Sequence, residues 1–168
     1  MHFVKIGGMI LFSIGENIVH PMHGAGVIDS VVKKKIDGAD REYYVLKLPL
    51  GDMRVMVPVD GCEKIGVRHV ISRDEAQKVI DAFPEIDISM NQNWNKRYRE
   101  NHGRIISGDP CEVAQVVKGL MARDMERGLS TGERKMLHSA KQILISEIVI
   151  ALGKPFAEVE ALLQSGIK

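Results

Sequence analysis

Between Asn91 and Arg104 the chain's one tryptophan, Trp94, is set among asparagine, glutamine, lysine and arginine. Lys96, Arg97, Arg99 and Arg104 face a single acid there, Glu100, so this stretch is cationic in a chain whose formal net charge is only +1. Such a composition suits a phosphate backbone, which is held by a local basic patch when the whole surface is near neutral. Ser89, with Gln92 reaching back to it, reads as the cap of a helix whose first turn includes or adjoins Trp94, beside the electropositive helix end. An apolar plate flanked by cations is what a wedge into a minor groove or fork junction needs: the ring props or unstacks a base step while the cations hold the strand. The competing reading places Trp94 and Tyr98, four apart, in a core stripe with Ile105. Residue pattern alone leaves both open.

Other reactive side chains carry less. His20 and His23 flank a turn and could hold a metal, but no third ligand has sensible spacing, so they read as turn histidines. Cys62 and Cys111 lie far apart with no CxxC pattern, which speaks against a zinc site or disulfide framework and for two thiols in a reducing compartment. The carboxylates are scattered and mostly stand at helix starts, where capping explains them. No phosphate-binding P-loop, nucleophile elbow, HExxH or dinucleotide fingerprint is present. The expectation is a binding protein, not an enzyme, with no cofactor, metal or small-molecule substrate. Lys33, Lys34 and Lys35 on one long strand and Arg54 on another could give an exposed sheet edge charge complementarity for a partner strand, or could simply be a solvated face.

The elements that must position these groups fall into two halves. From Phe12 to about Ile65 the chain reads as short strands with glycine turns and period-two alternation. A strand over 16–20 is followed by a tight turn at His23-Gly24-Ala25-Gly26, a long strand over 27–36, a reversal at Asp37-Gly38, a third strand around Tyr43–Lys47, and a fourth over 53–57 closed by Pro58. After about Gly66 the period changes to that of helices. Ser72-Arg73-Asp74-Glu75 is a capping box, Asp109-Pro110-Cys111-Glu112 repeats the logic with proline at the first helical position, and Ser130-Thr131-Gly132-Glu133 is a third box. Apolar stripes follow each, including Met136, Ala140, Ile143, Leu144 and Ile148 on the longest helix; Gly128 and Gly153 serve as stops, and Pro155 begins a short last helix. The expected fold is α+β in two domains. Residues 10–65 form a small twisted β-sheet or barrel, and 66–168 a compact domain of four to five helices.

With 168 residues, 45% of them hydrophobic and 27% charged, the chain falls among foldable globular sequences and outside the disordered regime. The run from Met1 to Leu11 is interrupted by Gly7 and Gly8 and is too short for a signal h-region or a span. The expectation is a cytoplasmic protein in which the residues ahead of Met9 are an extension contributing little to the fold.

Several stretches are similar to the CarD family of bacterial transcription regulators: Phe12-Ser13-Ile14-Gly15-Glu16, His20-Pro21-Met22-His23-Gly24-Ala25-Gly26, Tyr43-Tyr44-Val45-Leu46-Lys47 and Gly51-Asp52-Met53 in the first half. In the second, Asn93-Trp94 with Arg97-Tyr98, Ser107-Gly108-Asp109, Val116-Val117, Glu126-Arg127-Gly128-Leu129-Ser130 with Glu133, and Gln142-Ile143-Leu144 resemble the same family. The resemblance runs from about Ile10 to Leu163. It implies a Tudor-like domain, shared with transcription-repair coupling factors, that binds the β-subunit lobe of RNA polymerase. It also implies a helical domain reaching the upstream edge of the melted promoter; no helicase motif is present, so the chain is not a coupling factor itself. Carried over residue by residue, the DNA-facing set is Trp94 as the minor-groove wedge with Lys96, Arg97, Arg99 and Arg134, and Lys34 lies on the polymerase-facing sheet. Some relatives have a basic residue where this chain has Met56; Arg54, two residues away on the same strand face, is the candidate substitute. The implied activity is stabilisation of the open promoter complex without sequence specificity. A protein-interaction adaptor, whose helical half docks another protein and not DNA, is the alternative.

Overall fold

The computed structural model describes residues 12–167, together with the paired backbone of β1 (Lys5–Ile6) and β2 (Met9–Ile10). Apart from that pairing, the extension expected ahead of Met9 lies outside the described residues.

The first half is a five-stranded antiparallel sheet in the order β6-β5-β4-β3-β7, built from β3 (Asn17–His20), β4 (Gly24–Ile36), β5 (Ala39–Lys47), β6 (Arg54–Pro58) and β7 (Arg68–His69). The ladder is open, with β6 and β7 at its edges. Asp37 and Gly38, at φ 53° and 78°, make the tight reversal between β4 and β5, matching the strand twist. Side chains alternate across β5 so that Tyr44 and Leu46 are buried with Ile28 and Val57, while Tyr43, Val45 and Lys47 point to the other face. A one-turn helix, α1 (Cys62–Ile65), leads into β7, which pairs back on β3. The sheet therefore runs past the boundary expected at residues 65 and 66.

The first turn differs from its expected position. The chain reverses at Pro21–His23, where the His23 N–H donates to the His20 carbonyl (3.2 Å), and Gly24-Ala25-Gly26 already belong to β4. The small residues serve close packing. A Cβ on Gly24, whose φ is +96°, would stand 2.5 Å from Ser146 Oγ and 3.2 Å from the Ile143 Cα of a helix pressed against the strand.

The second half holds five helices: α2 (Arg73–Ala82), α3 (Trp94–Ile106), α4 (Pro110–Arg127), α5 (Thr131–Leu152) and α6 (Phe156–Ser165), with a 3-10 turn at Phe83–Glu85 where Pro84 stops α2. The starts of α2 and α4 follow the caps read from sequence. Ser72 Oγ accepts the Glu75 N–H (3.1 Å) while Glu75 Oε2 accepts the Ser72 N–H (2.8 Å), and Asp109 caps Cys111 N (2.9 Å) ahead of Pro110. The apolar stripes of α4 and α5 meet in a core that includes Val116, Leu120, Leu144 and Ile148 and is separate from the core under the sheet.

One polar joint fastens the halves. Glu147, buried on α5, accepts two hydrogen bonds from Arg68 (2.6 and 2.9 Å) and one from the Ile71 N–H (3.0 Å). Arg68 also donates to the Gly108 carbonyl (2.8 Å), and the Ala25 N–H donates to Ser146 Oγ (2.9 Å). The hydrogen bonds from Arg68 to the Glu147 carboxylate hold the guanidinium above its already high pKa.

Candidate nucleic-acid interface

Trp94 begins α3 instead of lying inside it. The helix is capped by Asn93, whose side chain accepts the Lys96 N–H (3.1 Å), and not by Ser89, which is held in a turn by Asp87. The indole consequently stands at the first helical position, at the positive end of the helix dipole. It is 42% exposed. Its ring stacks on Tyr98, one turn later, with centroids 5.1 Å apart and planes 21° apart. The backbone of Gly132 at the start of α5 lies directly alongside: a Cβ there would be 3.5 Å from Trp94 Cζ2 and 3.7 Å from Tyr98 Cε2. Of the two readings open at sequence level, the core stripe holds for Ile105, which is buried, and in part for Tyr98, which is half-buried against the same core; the indole is a partly exposed plate at its rim.

The cations around it separate into two groups. Lys96 and Arg99 are exposed on the outer side of α3, and Arg134 is exposed on the first turn of α5, where it donates to the Leu129 carbonyl (3.2 Å). Arg97 belongs to neither surface, which corrects the expectation that it faces phosphate. Its side chain is 2% exposed and pairs with Glu133, also 2% exposed, at 2.6 Å through Nε. Arg97 further donates to the carbonyls of Asn91 (3.0 Å) and Gln92 (3.1 Å). The reason is rotational: positions 97, 101 and 105 share the inward face of α3, so the arginine enters the core and must be paired there. Arg104 is half-buried and tied to Glu112 (3.3 Å), leaving less of its charge for a ligand.

The expected third capping box is only half formed, and for the same reason. Ser130 Oγ accepts the Glu133 N–H (3.2 Å), but the Glu133 carboxylate turns inward to Arg97 instead of back to the Ser130 backbone. Ser130 also accepts a hydrogen bond from the indole Nε1 (3.1 Å). No local spacing links residues 94 and 130, so sequence reading missed this contact.

The sheet presents a second surface. On its outer face the register lines up Val27, Lys47 and Arg54; then Ser30, Val45 and Met56; then Val32, Tyr43 and Pro58; then Lys34 and Arg41. An apolar strip containing Met56, 38% exposed, is thus bracketed by Arg54 and Lys34 at opposite ends, about 20 Å apart along the strands. Arg54 and Met56 do share a strand face, as expected, and Arg54 is loosely paired with Asp29 at 4.0 Å. Strand β6 is the sheet edge beside them.

His20 and His23 lie side by side with ring centroids 4.5 Å apart and planes tilted by 43°, but His20 Nδ1 is occupied by the Met22 N–H (3.0 Å). Burial, and secondarily His23, push the His20 pKa down to about 4. Among the described residues no group of three or more His, Cys, Asp or Glu is placed to hold a metal ion, and no helix is long and apolar enough to cross a membrane.

The β half matches the model of the CarD-like/TRCF RID domain over residues 12–71, and the helical half that of the CarD C-terminal domain over 78–164. Fold and sequence together define a transcription factor in which an RNA-polymerase-interacting β domain is joined to a helical domain. The chain belongs to the CarD family, which is non-enzymatic. It is 34% identical over 143 residues to a protein of Bacillus subtilis (strain 168) described as "Putative transcription factor YdeB", covering 85% of this chain and 94% of that one.

Proposed function

We propose that this chain docks on the β-subunit lobe of RNA polymerase through the outer face and free edge of β6, and presents Trp94 to the upstream edge of the melted promoter. A partner strand added to β6 would gain main-chain hydrogen bonds, with the Met56 strip and the charges of Arg54 and Lys34 giving it register. Tethering raises the local concentration of DNA, so a few sequence-independent contacts suffice. Lys96, Arg99 and Arg134 hold the backbone while the indole lodges in the minor groove and opposes bubble collapse. The observation that carries this reading is the placement of the one tryptophan, partly exposed, at the entrance of a helix that also carries exposed Lys96 and Arg99, with exposed Arg134 on the first turn of α5. The joint at Glu147 and Arg68 supports it further, since a wedge acts against DNA only if its mount is rigid relative to the docking face. Bubble stabilisation of about 1 kcal/mol corresponds to roughly a fivefold change in open-complex occupancy.

The test is open-complex lifetime measured beside capture by the isolated β lobe. Trp94→Ala is expected to shorten the lifetime about fivefold while capture is unchanged, and the pair Lys34→Glu with Arg54→Glu is expected to abolish capture. An unaltered lifetime with Trp94→Ala removes the wedge.

A further inference from the structure

The Trp94 ring is tethered as well as exposed. Its Nε1–H donates to Ser130 Oγ (3.1 Å), and the same oxygen accepts the Glu133 N–H (3.2 Å). A serine hydroxyl has one proton and two lone pairs. Both lone pairs are taken by these donors, and the proton is directed to Glu133 Oε2 at 3.4 Å. Glu133 cannot turn away, because its other oxygen is gripped by buried Arg97 at 2.6 Å. Arg97 in turn holds the carbonyls of Asn91 and Gln92, the two residues leading into the Asn93 cap of the helix that carries the indole. A continuous chain of hydrogen bonds thus runs from the edge of the indole to the backbone in front of it.

We infer that Ser130 is a positioning residue for Trp94: its hydroxyl, oriented by Glu133 and Arg97, fixes the rotation of the indole ring. Tyr98 confines the plane of the ring by stacking, and Gly132 lies against its edge, but neither distinguishes the two orientations related by a flip about the Cβ–Cγ bond; the directional N–H···O bond does. The consequence for promoters rests on the wedge reading proposed above, whereas the ring's orientation in the free protein does not. A ring ordered beforehand avoids the entropy cost of freezing a side chain on engagement, a factor of about two- to tenfold in the strength of the contact.

The experiment compares Ser130→Ala and Ser130→Thr in two backgrounds, Trp94 and Trp94→Phe, since phenylalanine has no N–H to donate. In the free protein the single indole gives one 1H–15N resonance. Ser130→Ala is expected to shift it and speed exchange of its proton with water, and Ser130→Thr to leave it near the original position. With polymerase and promoter, Ser130→Ala is expected to shorten open-complex lifetime about two- to tenfold in the Trp94 background and to have no effect in the Trp94→Phe background. An indole resonance indifferent to Ser130→Ala overturns the inference. So does an equal loss of lifetime in both backgrounds, because that is the signature of a lost helix cap alone. If the resonance responds as expected but Trp94→Ala leaves the lifetime untouched, the positioning role stands and the wedge reading fails.

Discussion

Replacing Arg97 with alanine separates the two roles open to this residue. As a phosphate contact it would be dispensable for folding, but the structure buries it to 2% exposure against an equally buried Glu133. Removing the arginine leaves that carboxylate without its ionic partner and the carbonyls of Asn91 and Gln92 without their donor. Breaking one side of a buried ion pair costs about 3–5 kcal/mol. For a chain of 168 residues each kcal/mol is worth about 2–4 °C in Tm, so the expected drop is roughly 6–20 °C. The assay is thermal unfolding followed by circular dichroism at 222 nm, without nucleic acid, at low and high salt. Arg99→Ala, on the exposed side of the same helix, is the reference and is expected to change stability by no more than about 0.5 kcal/mol. Salt should change the Arg97 penalty little, because a buried pair is poorly screened. An Arg97→Ala protein that melts within a degree or two of the parent, and loses DNA engagement just as Arg99→Ala does, refutes the reasoning.

His20 makes stability fall on mild acidification. Its folded pKa of about 4 lies below the ordinary 6.5, so between those values the unfolded chain binds a proton that the folded chain refuses, and stability declines by up to about 1.4 kcal/mol per pH unit as pH drops through that window. Urea midpoints at pH 7, 5.5 and 4.5 are expected to fall less steeply for His20→Gln; identical slopes contradict the assignment. Gly24→Ala is expected to loosen the joint between the halves, since the added Cβ meets Ser146 Oγ at 2.5 Å on a backbone already at positive φ. Faster proteolysis between residues 66 and 73, with a Tm several degrees lower, is the expected result; an unchanged digestion pattern counts against the joint.

What sequence disclosed follows from how local each feature is. The caps at Ser72 and Asp109, the Asp37-Gly38 reversal and the stripes of α4 and α5 depend on neighbours within a turn or two, and each stands where its residues put it. Arg97 reads as exposed because its window is hydrophilic, and nothing within that window reveals a carboxylate at position 133 in the core. The same distance hid the Ser130–indole bond and the incomplete third capping box. Lys118 is a parallel case. It lies in the apolar run of α4 and is buried to bind the carbonyls of Pro84 (2.6 Å) and Ile86 (2.8 Å), which otherwise end the 3-10 turn unpaired. Gly24-Ala25-Gly26 points the opposite way, since glycine signals close approach as readily as a turn: at Gly24 and Ala25 the approaching surface is a helix more than a hundred residues on, and at Gly26 it is Leu46 and Lys47 of the neighbouring strand.

The most direct measurement places a photocrosslinking phenylalanine analogue at position 94, forms the complex with RNA polymerase and promoter DNA, and maps what the side chain captures. Capture of promoter DNA at the upstream edge of the bubble, and its disappearance when the polymerase is omitted, is the predicted result. Capture of protein alone, with no DNA product, contradicts a wedge at this position and makes the helical half a protein-docking module instead.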